Sequence, residues 1–502
     1  MGNKKEDRLT TLNRVNYTAG EITTIRGTLG YQIPFFLEKS DKNEAYFIAN
    51  EYSLVDPEYD SVYHLPFLFN DDGTPWYEAN LYFYRRSIDL DVGYGTTDDL
   101  RREASMLLDY KIYCDAEGIN YLDFSAKRPG NRPTYRYFKY LIESNLASGK
   151  NKNKRTGVIY SFYKFLTNLP GFSIDIKAVD KTREAFIIFE NGFKKKVTIR
   201  SQTVNVSNEK KPVPVGFVRD EGEDLRPLTN RERDDLIEAL NGGGFSVDER
   251  LIYLIALNTG CRKQSIFTLR MKHVKQLRES LDIAASIKSY DSITIELRDR
   301  LAVDGTLILH ASPSTGIDTK FQKVNKLHFP KDLAKQIITY AYSKEAEKRR
   351  NLFKKKYKDI LDDDDIYLFL SQNGNCHYMA RNDPRYRKVK TRPKGEHTDY
   401  LKTKLFKHTS ESFPKDFTFH WLRATFAFYL YQHFIRYVVY DRKIKLKPGQ
   451  MRPGDEIRKI QVRLHHKNRE ITENYLKLFV EFDDKIDAQE RYEAMLFDGL
   501  GV

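Results

Sequence analysis

The chain has 502 residues, room for about two to four domains, and 40% of them are apolar, enough for buried cores. Its 84 Lys and Arg against 70 Asp and Glu give a formal net charge of +14, which favours a polyanionic partner because each basic side chain set on a phosphate releases counterions. No stretch is long and apolar enough to predict a membrane-spanning helix or a secretory leader, and three scattered cysteines (Cys114, Cys261, Cys376) suit neither a disulfide framework nor a zinc knuckle, so a reducing cytoplasm is expected.

Residues 1–76 read as an accessory arm of short strands, at 22–25, 31–33 and 45–48. The pattern turns helical over 77–215. Thr97 is placed to cap a helix with Leu100, Ala104, Leu107, Leu108 and Ile112 on one face. A second helix follows Pro133, carrying Arg132, Arg136 and Lys139 beside Tyr135, Phe138 and Leu141. A third, from Thr156, turns Ile159, Phe162, Tyr163 and Leu166 inward. The basic stretch 150–155 between them reads as a solvated loop, with a phosphate contact as the alternative. Strands at 185–189 and 196–199 precede a polar linker that ends near 215.

A second half, 216–502, opens on two capping boxes, Thr229 with Glu232 and Ser246 with Glu249. The first heads a helix that stops at Gly242-Gly243-Gly244. The second heads an apolar helix over 251–258 that ends at Gly260, a residue suited to a left-handed stop. Strand-like segments follow at 292–297, 306–310 and 326–329, and the remainder is mostly helical. The fold class expected is mainly α with small antiparallel sheets (α+β).

The same half carries the side chains with chemistry. Arg262 follows Thr259-Gly260-Cys261 at a helix junction. His420 and Arg423 lie three apart at the head of an apolar helix, on one face of it. His465-His466 precede Tyr475, which stands nine residues after His466 on a helix with Ile471 and Leu478. Lys320, with Lys323 nearby, sits in a β-hairpin. Attack on a phosphodiester needs charge stabilised on two non-bridging oxygens, which paired arginines do with forked donors. A phenol with a pKa near about 10 needs a base or a cationic setting to become a nucleophile, and the leaving oxygen needs a general acid. This set supplies all three functions with no metal and no cofactor. The adjacent histidines lack a third ligand, Asp362-Asp363-Asp364-Asp365 reads as a solvated turn, and no Walker motif occurs.

The order Thr-Gly-x-Arg, hairpin Lys, His-x-x-Arg, then His with Tyr nine residues on resembles the tyrosine site-specific recombinases of the phage integrase family. The segments Leu368-Phe369-Leu370 and Asn373-Gly374 are similar to the family's intervening stretch. The resemblance spans roughly residues 77–485. It implies a helical core-binding domain (77–215) and a catalytic domain with a C-terminal tail (216–502) that form a clamp on DNA. Tyr475 would attack the scissile phosphate to give a 3′-phosphotyrosyl link, with Arg262 and Arg423 stabilising the transition state. His420 would be general base, Lys320 general acid and His466 a phosphate hydrogen-bond donor. Double-stranded recombination sites, a homo-tetramer on DNA and accessory DNA-bending proteins are the implied partners, in a bacterial mobile element or phage, in the cytoplasm at the nucleoid. The chain departs from the family at Ser265, where an acidic residue is usual, at His465, where Gly is usual, and at Ala424, where His is common. A type IB topoisomerase or telomere resolvase, and a DNA-binding protein without catalysis, remain as alternatives. So do Lys323 as the acid and a tail that docks on a neighbouring protomer.

Overall fold

In a computed structural model of the chain, the described residues are 64–475 apart from 89, 91–95, 145–146, 189–193, 206–212, 215, 221–222, 288–293, 295–296, 303, 359, 387, 441–442, 444, 448–449 and 466–471. The backbones of short strands between 22 and 62 are described as well. The fold is mainly helical with small two-stranded antiparallel sheets. Two compact units divide it, Met1–Lys211 and Pro212–Val502. Among the described residues no helix is long and apolar enough to cross a membrane.

In the first unit, strands β1 (Ile22–Thr24), β2 (Tyr31–Gln32), β3 (Phe35–Leu37), β4 (Tyr46–Ile48), β5 (Ser61–Val62) and β6 (Pro66–Leu68) form three antiparallel pairs, β1 with β6, β2 with β5 and β3 with β4. Helices α1 (Tyr77–Ile88), α2 (Thr97–Ala116), α3 (Pro133–Glu143) and α4 (Gly149–Leu166) pack around Trp76, Phe83, Leu107, Tyr137, Phe162 and Tyr163. A short helix α5 (Ile176–Val179) and the hairpin β7 (Thr182–Ile188) with β8 (Lys194–Arg200) complete it.

Two expectations shift here. Helix α2 is capped by Thr96, whose hydroxyl accepts from the Asp99 N–H, one residue earlier than expected. The basic stretch 150–155 is not a loop but the opening of α4, capped by Ser148. Tertiary partners explain this. Arg155 is buried against Asp109 and the Tyr137 hydroxyl, and Asn153 exchanges hydrogen bonds of 2.7 and 2.9 Å with the Val204 main chain. An arginine paired with a carboxylate in this way holds the chain helical where its local charge would have kept it solvated.

The second unit begins with strands β9 (Val218–Asp220) and β10 (Glu223–Leu225), paired antiparallel. Helix α6 (Asn230–Asn241) starts at the reciprocal Thr229–Glu232 box, with bonds of 3.2 and 2.9 Å, and α7 (Val247–Thr259) starts where Glu249 accepts from the Ser246 N–H at 2.9 Å. Then come α8 (Lys263–Phe267), α9 (Met271–Ser286), the hairpin β11 (Leu307–Ala311) with β12 (Asn325–Phe329), α10 (Lys331–Ala341), α11 (Lys344–Lys356), α12 (His397–Leu405), α13 (Trp421–Ile435) and α14 (Asp455–Leu464). Helix α7 buries Leu251, Ile252, Tyr253, Ile255 and Ala256 and packs on α13, which packs in turn on α14. Each fully buried aliphatic side chain there contributes about 1.5–3 kcal/mol relative to exposure. Of the strand expected at 292–297, Leu297 instead opens a 3-10 turn, and most of the rest lies outside the described residues.

The acidic stretch at 362–365 is more than a solvated turn. Asp365 pairs with Arg270 at 3.0 Å and Lys272 at 2.8 Å, Asp364 with Lys275 at 2.6 Å and Asp363 with Lys354 at 2.5 Å. Four cations from α9, its N-cap and α11 neutralise three carboxylates, so the stretch ties elements together.

Candidate active site

The end of α7 sets the first element of the site. Gly260 closes the helix in the left-handed region (φ 61°), and a Cβ there would come within 2.3 Å of the Phe426 ring on α13. The turn therefore depends on glycine for conformation and for space. Two residues on, Arg262 caps α8 from a half-buried position.

Helix α13 brings the next pair. His420 is its N-cap and Arg423 lies in its first turn, only 3% exposed. The Arg423 guanidinium donates to the Gly260 carbonyl at 2.6 Å and also to the Leu464 carbonyl at the end of α14. One buried cation thus ties together three segments far apart in sequence: the Thr-Gly-x-Arg turn, the His-x-x-Arg helix and the Leu-His-His turn.

Directly after Leu464, His465 adopts a left-handed conformation (φ 55°) as the C-cap of α14. This is the position where the resemblance expects Gly, and the backbone still takes the shape that Gly favours. The His465 imidazole donates from Nε2 to the Lys326 carbonyl of β12 at 3.1 Å. Burial pushes its pKa down to about 4, with the positive charges of Arg423, Arg262 and Arg463 acting in the same direction. His465 is therefore a neutral side chain near the two arginines, and it bonds its own turn to the hairpin. His466 lies outside the described residues.

The hairpin is held from the other side by α8. The Ser265 hydroxyl donates to the Asp318 carbonyl at 2.8 Å, and the Asp318 N–H donates to the Thr268 hydroxyl at 2.9 Å. The Asp318 carboxylate accepts from the Arg381 N–H at 3.1 Å. Lys320 follows two residues later, half-buried, in the connection between β11 and β12, while Lys323 is exposed.

Sequence reasoning missed a carboxylate. Glu223 on β10 lies 3.6 Å from His420 Nδ1 and accepts from the Thr418 hydroxyl at 3.3 Å. Its carboxyl is held below the usual range, first by the neighbouring His420 imidazole. A carboxylate on one ring nitrogen fixes which nitrogen of the imidazole faces a reacting group. Ser265 is the second residue whose role emerges only in three dimensions. It stands where an acidic side chain is usual and anchors the lysine loop.

Tyr475 is fully buried in the main core of the second unit, in a helical turn at 472–475. The site residues named from the sequence thus fall into three groups. Arg262, His420 and Arg423 stand on connected elements, Lys320 is tethered to them through Asp318 and Ser265, and Tyr475 sits in the core of the same unit.

Solved recombinase structures are similar to this chain. The Tn1549 transposon integrase in complex with transposon right end DNA matches at 15% identity and a TM-score of 0.40, over 79% of this chain and 94% of that one. XerA recombinase matches at 15% identity and a TM-score of 0.29, over 80% and 95%. The XerH site-specific recombinase bound to palindromic difH substrate matches at 13% identity and a TM-score of 0.37, over 82% and 84%. No family model and no curated protein matches the chain.

Among the described residues no group of His, Cys, Asp and Glu has the geometry to hold a metal ion. The three cysteines are free and buried, and burial raises the thiol pKa of each. None of them is set up as a thiolate nucleophile.

Proposed function

We propose that the chain is a tyrosine site-specific recombinase that cuts and rejoins double-stranded DNA, with helices of 77–215 as its DNA-binding domain and residues 216–502 as its catalytic domain. The observation that carries this reading is the Arg423 guanidinium joined to the Gly260 and Leu464 carbonyls. That tie draws the turn before Arg262, the helix of Arg423 and the His465 turn together, which supports a shared role for the two arginines on one phosphate. In the step proposed, the Tyr475 oxygen attacks the scissile phosphorus and the bond to the 5′ oxygen breaks. A 3′-phosphotyrosyl ester and a free 5′-hydroxyl result. His420, oriented by Glu223, accepts the phenol proton, and Lys320 gives a proton to the departing oxygen. Arg262, Arg423 and His466 hold the non-bridging oxygens, where preorganised charge is worth most. The ester keeps the energy of the broken bond, so rejoining by a 5′-hydroxyl needs no ATP. Work on a phage or mobile element, at the nucleoid, in a homo-tetramer with DNA-bending accessory proteins, belongs to the same proposal.

The burial of Tyr475 favours a second reading, a core tyrosine in a protein that binds DNA without cutting it. One experiment separates the two. Duplexes retained by Tyr475→Phe from a randomised pool supply the substrate, and wild type is then offered the same duplexes nicked near the bound centre. The recombinase reading expects a detergent-resistant protein–DNA adduct with wild type and none with Tyr475→Phe, at similar binding by both. Binding by both without any adduct supports the second reading.

A further inference from the structure

The loop that carries Lys320 ends in an exposed, strained aromatic residue. Phe321 and Gln322 both have positive φ, 58° and 57°, and the Lys323 N–H reaches back to the Lys320 carbonyl at 3.5 Å. Two consecutive left-handed residues within such a turn are the pattern usually filled by Asn and Gly, because a Cβ is unfavourable there. Here the positions hold Phe and Gln. Folding recovers none of this cost by burial. Phe321 is 77% exposed and Val324 is 74% exposed, the two highest values among the exposed large apolar side chains of the described residues.

The loop beneath them is anchored. Asp318 and Thr319 are buried, the Thr319 hydroxyl closes on the Lys323 carbonyl at 2.5 Å, and Ser265, Thr268 and the Arg381 N–H clamp Asp318. The tip is therefore an apolar point on an anchored base. Its surroundings are cationic. The Lys320 ammonium lies 5.1 Å from the Phe321 ring centroid, Lys323 is adjacent, and β12 is bonded through Lys326 to His465, which lies beside Arg262 and Arg423.

A partner for this tip must offer anionic groups to the lysines and a flat apolar surface to Phe321 at the same time. Duplex DNA offers both, phosphates outside and base faces inside a step. Apolar side chains inserted between base pairs partly unstack them, at a cost repaid by the contacts that a bent duplex allows. We infer that Phe321, backed by Val324, is a wedge that enters a base step beside the scissile phosphate and unstacks it, bringing Lys320 to the leaving oxygen. This inference rests on the recombinase reading for its partner. It adds a DNA-distorting element to the cleavage residues.

The test uses full-length protein in the Tyr475→Phe background, which cannot cleave, and the duplexes selected above. 2-Aminopurine replaces one base at a time across the steps around the nick position. Its emission rises several-fold when stacking is lost. The expected result is a rise at one step, abolished by Phe321→Ala and kept by Phe321→Trp, with binding weakened only several-fold by the alanine change. The inference is overturned if no step responds, or if Phe321→Ala responds like its parent. A tip that instead contacts a neighbouring protomer would leave the emission unchanged in Phe321→Ala and lower the mass of the protein–DNA complex in sedimentation, which also overturns it. Failure of the recombinase reading looks different, since wild type would then form no adduct whatever the emission does.

Discussion

Arg423 is committed to structure, and the proposed mechanism gives it a chemical role as well. Two of its donors go to main-chain carbonyls at the ends of α7 and α14, and at 3% exposure it is held in a setting where its charge is poorly screened. Lysine, with a point charge on a flexible stem, cannot reproduce that fork. The lysines of the hairpin pose a finer question, because Lys320 and Lys323 are three residues apart and the proposed mechanism needs only one of them as the acid. Lys320 is half-buried and follows the clamped Asp318, whereas Lys323 is exposed at the far end of the turn. Lys320→Ala is expected to slow cleavage of ordinary DNA about 100-fold or more, within the usual range for loss of a general acid. On a substrate with sulfur in place of the bridging 5′ oxygen the leaving group needs no proton, so the same variant is expected to cut near the wild-type rate. Arg262→Ala and Arg423→Ala should stay slow on both substrates. Rescue of Lys323→Ala by sulfur, with Lys320→Ala left slow, would move the acid to Lys323.

At the scale of elements, the clamp between α8 and the hairpin offers a separate test of the proposed chemistry. Ser265 is 5% exposed, and Ser265→Ala leaves the buried Asp318 carbonyl without that donor, a loss of about 1–3 kcal/mol in stability. If the clamp positions Lys320, Ser265→Ala should also slow cleavage of ordinary DNA several-fold and be largely rescued by the sulfur substrate. A purely structural serine would give equal slowing on both substrates. The contact also shows where sequence reasoning reaches its limit. The capping boxes of α6 and α7, the Gly260 stop and the β11–β12 pairing were legible because their signals lie within a few residues of one another. The Ser265–Asp318 bond spans 53 residues and the Glu223–His420 contact joins β10 to the head of α13, so no local pattern announces either. The start of α4 was misread for the same reason, since the partner of Arg155 is Asp109 on another helix. The acidic stretch at 362–365 was read as solvated because its cations come from α9, its N-cap and α11.

For the whole molecule, the distribution of histidines predicts that acid will separate the two units. Only His64 lies within 1–211, and the other ten histidines fall in the second unit. Burial pushes the pKa of His273, His328 and His377 down to about 3 and that of His465 to about 4. His273 shows the cause most plainly. It is 1% exposed, its Nδ1 accepts from the Arg270 N–H at 2.9 Å and its Nε2 donates to the Thr315 carbonyl at 2.9 Å, so a second ring proton would displace a bond already made. An unfolded histidine takes up a proton near pH 6.5, while these remain neutral in the folded chain until about pH 4 or 3. Between those limits the unfolded state binds more protons, so the histidine contribution to stability is constant above about pH 7 and falls as pH drops from about 6.5 towards 4. For fully buried His273 alone the slope approaches about 1.4 kcal/mol per pH unit. Carboxylates held below their usual range add losses only at lower pH, and Asp318 in the second unit and Glu103 in the first, whose carboxyls burial raises, act in the opposite direction, so a loss of stability from about pH 6.5 to 5 belongs to the histidines. The chain has two tryptophans, Trp76 in the first unit and Trp421 in the second, both 1% exposed, so each unit carries its own fluorescent reporter. In Trp76→Phe the Trp421 signal should show a urea midpoint that falls steadily as pH is lowered from about 7 to 5. In Trp421→Phe the Trp76 signal should keep a nearly constant midpoint over the same interval. Adding His273→Gln to Trp76→Phe should lower the midpoint at neutral pH and make its pH dependence shallower by close to one proton. Parallel shifts of both tryptophan signals, or a Trp421 midpoint that stays level down to pH 5, would show that these histidines do not hold the second unit against acid.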